Sequence, residues 1–254
     1  SDEEILREIL KTLEDVVRRL EELLKENEKL IRESTKLIKD VLDELLEIIK
    51  RVAKLIRDLK RNKVDEKTVE DIVRKIEEDL KRVVDKLRKL VKESEKKLTD
   101  SVKALRDVVR DIERLLRELV DKARKNVRTD ELREVVERLE KLLRDALRVI
   151  KRIVDELERL NREYLTDVKE IVKRLAELLD DILRVVREIA RDEDEETVER
   201  KLKKLLDKAR TELEKIKRRL DKLNEDYERK LRELEKRLRD LLERLRKTLE
   251  DIRK

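Results

Sequence analysis

Two short stretches, LNREYL (Leu160–Leu165) and LNEDYE (Leu223–Glu228), hold both tyrosines of a 254-residue chain. Each tyrosine, Tyr164 or Tyr227, follows an asparagine, Asn161 or Asn224, by three residues, so an amide and a phenol share one helical face. Hydroxyls recur in a second matched pair of segments: Ser34 and Thr35 in RESTKL, Ser94 in KESEKKL, with Ser101 nearby. Asn27 is a further amide, a secondary polar position on the same apolar stripe as Ser34. Amides, hydroxyls and phenols donate and accept hydrogen bonds, and that bounds their chemistry. The chain has no His and no Cys, and no carboxylate lies on the apolar stripes, so neither a metal set nor a nucleophile–base pair is offered. The expectation is a structural polar layer, with no enzyme activity, no cofactor and no metal.

The rest of the alphabet is as narrow. Gly, Pro, Met, Trp and Phe are absent as well, and 55% of the residues are charged. Such a composition marks long helices or disorder, and hydrophobic periodicity decides between them. Lys/Arg and Asp/Glu alternate along every segment, so the net charge of +6 forms no basic stripe, and no aromatic platform accompanies it. Nucleic acid is therefore not an expected partner. No apolar run approaches the roughly 18 residues of a membrane span, and there is no signal-peptide core. The chain opens on Ser1 instead of Met, as after tag removal. The reading is a soluble protein with no membrane partner and no targeting signal, made by recombinant cytoplasmic expression.

Periodicity answers for helix. In the last segment the apolar stripe begins Val198, Leu202, Leu205, Ala209, Leu213, Ile216, with steps of four, three, four, four and three residues, and then repeats to Ile252. Stripes starting at Ile5, Val69 and Leu132 follow the same 18-residue, five-turn cycle. That is 3.6 residues per turn, the period of a straight helix, where a heptad repeat would impose a left-handed supercoil. Three interruptions, RNKVDEK (Arg61–Lys67), KNVRTDE (Lys125–Glu131) and RDEDEET (Arg191–Thr197), separate the segments. Each places Asn62, Asn126 or Asp192 where a left-handed C′ residue is wanted, followed by an N-cap at Asp65, Thr129 or Asp194. Ser1 with Glu4 makes a capping box.

The sequence thus predicts an all-α fold: a single-chain antiparallel up-down-up-down four-helix bundle spanning 1–254, with nearly straight helices of about 60 residues at about 2–61, 66–125, 130–191 and 195–253. The alternative is that helices run through the breaks in a domain-swapped oligomer. Folding the chain at its loops brings Ser34, Ser94, Asn161 and Asn224 to one height, with Tyr164 and Tyr227 within about a turn and Thr35 and Ser101 flanking. Misaligned amides would be buried without partners, so one such layer would fix register among four near-uniform stripes. The third segment carries a second apolar flank (Leu142, Val149, Ile153, Ile171, Leu178, Ile182, Val185, Ile189), which suits either a more central helix or self-association, whereas the fourth is narrower.

The restricted alphabet, the shared 18-residue stripe and the polar layer together resemble computationally designed helical bundles with buried hydrogen-bond networks. The resemblance implies a rigid, very stable scaffold with no natural biochemical function, and the reading adopted is a monomer needing no partner. It departs from the pattern in loops that lack Gly and Pro. Competing expectations are a designed switch or binder in which the fourth helix is displaced, and a lipid- or cytoskeleton-binding helical protein.

Overall fold

Leu, Lys, Glu and Arg fill the four segments and rank high in helix propensity, and no Gly or Pro interrupts the backbone ladder. The computed structural model describes residues 2–191 and 194–253, with all their side chains except those of Asp2, Glu3, Leu6, Ile252 and Arg253. Among the described residues there are four α-helices and no strand: α1 (Asp2–Arg61), α2 (Glu66–Lys125), α3 (Asp130–Arg191) and α4 (Glu195–Arg253). The predicted caps at Ser1 and Asp192, and the stripe's last side chain at Ile252, lie outside the described residues.

The helix starts follow the sequence. Thr129 Oγ1 accepts from the Leu132 amide at 3.3 Å, and Asp194 Oδ1 accepts from the Glu196 amide at 3.2 Å. Asp65 instead receives the Thr68 hydroxyl, while its carbonyl accepts the first helical bond, from Val69 at 3.2 Å. Bonds from Thr197 and then from the Glu196 amide hold the Asp194 carboxyl below its usual range.

The helix ends do not follow it. Asn62, just past the helix end, donates to Asp58 at 3.1 Å without a positive φ, and the left-handed residue is Lys63, with φ 48°. Val64 then donates to the Leu59 carbonyl at 3.3 Å and Lys63 to that of Lys60 at 3.4 Å, which is a Schellman cap with Lys63 at C′. The apolar pair accounts for the shift, because this register puts Leu59 and Val64 at C3 and C″, where they are both half-buried. Asn126 is not left-handed either. It donates to Ala123 at 3.2 Å and Val127 to Arg124 at 3.3 Å, so a tight three-residue turn satisfies the last carbonyls of α2 without a positive φ.

The chain folds into two compact units, each built from a stretch of all four helices: Ser1–Leu30, Lys96–Glu163 and Asp226–Lys254 in the first, Ile31–Glu95 and Tyr164–Glu225 in the second. In the second unit α1 runs against α4, with Lys39–Asp221 at 2.6 Å and Arg57–Glu199 at 2.7 Å. There α2 runs against α3, with Arg187–Glu77 at 2.6 Å and Lys169–Glu95 at 3.1 Å. The first unit repeats the directions through Arg246–Glu14 at 3.0 Å, Arg106–Asp155 at 3.0 Å and Arg237–Glu156 at 2.8 Å. In the second unit α1 and α3 run parallel across the core, where Lys60 Nζ donates to the Ala190 carbonyl at 2.6 Å. The result is an up-down-up-down four-helix bundle. Exposed pairs of this kind each contribute a few tenths of a kcal/mol up to about 1, so they orient helices more than they hold them.

Apolar burial holds them. Ile9, Leu13, Leu20 and Leu24 in the first unit and Ile38, Leu42, Leu45 and Ile49 in the second are almost wholly buried, each contributing about 1.5–3 kcal/mol before entropy. On α3 the second flank belongs to the same cores: Ile153, Ile171, Leu178, Ile182 and Ile189 are buried, and Leu142, Val149 and Val185 are half-buried. On α2, Val83 and Leu119 are buried on a line with Ser101 between them, 18 residues from each, while the stripe residue Val84 is only half-buried. A helix facing two neighbours buries an arc wider than a single stripe.

Candidate functional site

The polar residues that interrupt the stripes form two separate clusters, one in each unit. In the first, α1 contributes Asn27, α3 Asn161 and α4 Tyr227, at 0%, 4% and 4% exposure. The two asparagines pair reciprocally, with Asn27 Nδ2 donating to Asn161 Oδ1 at 2.8 Å and Asn161 Nδ2 to Asn27 Oδ1 at 3.0 Å. Tyr227 OH donates to Asn161 Oδ1 at 2.6 Å and accepts from Asn27 Nδ2. Both Asn27 amide hydrogens, both lone-pair sites of Asn161 Oδ1 and the phenol's donor and acceptor are therefore used. A buried amide without a partner costs about 1–3 kcal/mol, so the three groups are tolerable in an apolar core only as a set.

The second unit uses hydroxyls. Ser34 on α1 bonds Ser94 on α2 at 2.7 Å, and Thr35 on α1 bonds Tyr164 on α3 at 2.7 Å. Each pair keeps a link to the backbone: Thr35 Oγ1 donates to the Ile31 carbonyl at 2.9 Å, Ser94 Oγ to that of Leu90 at 2.9 Å, and Tyr164 OH reaches Ile31 at 3.5 Å. Burial pushes the Tyr164 phenol up to about 12, with the Thr35 bond acting in the opposite direction.

Ser34 meets Ser94 as folding at the loops predicts, but Asn161 meets Asn27 and not the residues near Ser34. Asn27, taken from the sequence as secondary, is the most buried polar residue of the chain's described part. The α1–α3 pairing Thr35–Tyr164 lies within two residues of the register that folding at the loops gives, so what the sequence leaves open is which side chains on neighbouring turns reach one another. Both tyrosines point inward, and beside them the stripe residues Leu165 and Leu223 are only half-buried. Asn224 is half-buried in the second unit, and Ser101 has a buried Oγ without a hydrogen-bond partner in the first.

One functional group was not legible as such: Glu235 on α4 is a buried carboxylate, at 8% exposure. Its residue type gives no warning, and its place beside Leu234 on the buried face of α4 is the signal that was available. It stands apart from both clusters' bonds. Among the described residues no group of His, Cys, Asp and Glu suits a metal ion. Nor is any described helix long and apolar enough to cross a membrane. An open cleft of about 640 Å³ lies in the second unit among Lys60, Val69, Val73, Glu77, Arg187 and Ala190. The Arg187 bond holds the Glu77 carboxyl below its usual range, so these charges are engaged in an ion pair.

No family model matches the chain, and no curated protein sequence matches it. Among solved structures it overlaps a chain of an oligomerised bacterial dynamin pair, 14% identical, over 98% of this chain and 53% of that one, with a TM-score of 0.33. It also overlaps a computationally designed three-helix bundle, 17% identical, over 98% of each chain, with a TM-score of 0.26. The chain spans about half the length of the dynamin chain. Overlaps this loose carry no argument about function.

Proposed function

We propose that this chain is a de novo designed structural scaffold whose buried hydrogen-bonded clusters fix the register and pairing of four otherwise interchangeable helices. The observation that supports this most is the closed set of bonds among Asn27, Asn161 and Tyr227, which joins three helices through donors and acceptors matched to one another. A slip of one turn along any of the three helices would bury these amides against aliphatic side chains. The alphabet of the chain supports the designed origin, and the 18-residue period supports helices packed without a supercoil. In this reading the chain catalyses nothing and requires no cofactor, nucleic acid, membrane or protein partner. It is a monomer that unfolds as one cooperative domain, with a melting temperature above about 90 °C.

The test replaces the whole set. The variant Asn27→Leu/Asn161→Leu/Tyr227→Phe removes every partner together, so its stability holds or rises. Its solution state, read by light scattering and native mass spectrometry, broadens from monomer into a mixture of oligomers or registers. A triple variant that remains a clean monomer and loses several kcal/mol would make the cluster a stability element and overturn the specificity role.

A further inference from the structure

The 18-residue repeat makes the α1–α4 seams of the two units directly comparable, because five turns forward on α4 correspond to five turns back on antiparallel α1. In the second unit two rungs are bridged: Lys39 to Asp221 at 2.6 Å, and Asp43 to Lys217. Moving 18 residues along each helix gives Glu21 with Arg239 and Lys25 with Glu235 in the first unit, the same rungs with their charges exchanged. Glu21 and Arg239 form an ion pair at 3.6 Å. The other rung is broken. Lys25 is exposed, no ion pair joins it to Glu235 among the described residues, and Glu235 Oε1 is buried with no hydrogen-bond partner.

A carboxylate with an oxygen buried away from any partner is disfavoured in its ionised form, and protonation relieves it. We propose that Glu235 is a proton-operated latch on α4. Protonated, it seals the α1–α4 seam of its unit; ionised, with its proton released to solvent, it holds that stretch of α4 less tightly.

The surrounding charges agree with this. From α1, Glu28, Lys25 and Glu21 bear on Glu235, and from α4 itself Arg239 does. Burial is the main influence and the Glu28 carboxylate adds to it, so the Glu235 carboxyl is held above its usual range in spite of Arg239 and Lys25. For an acid raised in the folded state, the stabilisation is complete at low pH and is lost as pH rises from the ordinary glutamate range through the raised value. Ion pairs elsewhere lose strength in acid, so the latch is read as a difference from a neutral isostere.

Two measurements on the full chain test it. Carboxyl carbon NMR of the glutamate-labelled protein, with Glu235→Gln assigning the missing signal, is expected to show Glu235 titrating above the other glutamates. Hydrogen exchange of the α4 amides at 231–239, corrected for intrinsic rates, compares the chain with Glu235→Gln. At pH 8 the variant should open less often than the native chain, since ionisation of the buried carboxyl is what favours opening there, and at pH 4 the two should match. Glu235 titrating with the other glutamates, or an exchange ratio that is the same at both pH values, overturns the latch. If Glu235→Gln does not fold, a set of single glutamate substitutions elsewhere assigns the spectrum by elimination, and the titration of the native chain decides alone.

Discussion

The two polar clusters are built from similar residues and behave differently as sets of bonds. In the first unit, Asn27, Asn161 and Tyr227 bond to one another across three helices. In the second, Thr35 and Ser94 each also donate to a carbonyl four residues back on their own helix, at 2.9 Å. A hydroxyl in a helix carries a fallback with it, whereas an amide of this kind does not. A slip therefore leaves the amides of the first cluster without partners, whereas in the second Thr35 and Ser94 keep a bond to their own backbone. On the proposed specificity role, register selection would rest mainly on the amides, and the hydroxyls would add adhesion with little discrimination.

The sharpest way to break this contrast is to remove one partner from each cluster. Asn27→Leu leaves the Asn161 Nδ2 donor without its acceptor in a sealed core, and unfolding experiments should show a loss of about 2–3 kcal/mol. Thr35→Val keeps the shape, and Tyr164 retains the Ile31 carbonyl at 3.5 Å, so the loss should stay below about 1 kcal/mol. Equal losses at the two sites would remove the distinction between amide and hydroxyl clusters.

The tyrosines sharpen it next. In Tyr227→Phe the Tyr164 phenol is the sole tyrosine, and its ultraviolet titration should centre near the value of about 12 that burial gives it. Because this acid is raised in the folded state, its contribution is complete below about pH 10, where the unfolded phenol titrates, and is lost as pH rises through about 12. The loss amounts to roughly 3 kcal/mol between those limits. Tyr164→Phe should remove that part of the alkaline destabilisation, leaving what the lysines contribute. A midpoint at the ordinary phenol value of about 10 would mean that the second cluster admits water.

Most of the fold was legible because its determinants are local. The period of the stripes, the absence of Gly and Pro, and caps such as Thr129 and Asp194 act within a few residues of themselves, and the helix bounds came from them. The clusters were legible only as a list of residues. Which amide meets which depends on side-chain reach between neighbouring turns of different helices, and the folded register alone does not choose between Asn27 and the neighbourhood of Ser34 as the partner of Asn161. The end of α1 failed for a related reason, since the position of the left-handed residue was decided by the packing of Leu59 and Val64 and not by the preference of Asn62. Glu235 was hidden because a carboxylate reads as surface unless its neighbours are known, and only the comparison with Lys217 shows that its rung lacks a bridge.

The smallest expected effect separates two serines on one helix. Ser94 and Ser101 lie seven residues apart on α2, in different units, and both are half-buried. Ser94 has Ser34 at 2.7 Å, so Ser94→Ala discards a made bond and orphans part of its partner, for a loss of about 0.5–1 kcal/mol. Ser101 Oγ is buried with no partner, so Ser101→Ala discards only a desolvated hydroxyl and gains helix propensity. Its thermal unfolding, monitored in denaturant to bring the transition into range, should shift upward by the equivalent of a few tenths of a kcal/mol. Opposite signs from the same substitution would show that what each unit gains from a polar group lies in the partner and not in the residue. A loss at Ser101 as large as that at Ser94 would mean that its hydroxyl finds a partner in solution, and the first unit would then hold a second polar set beside Asn27.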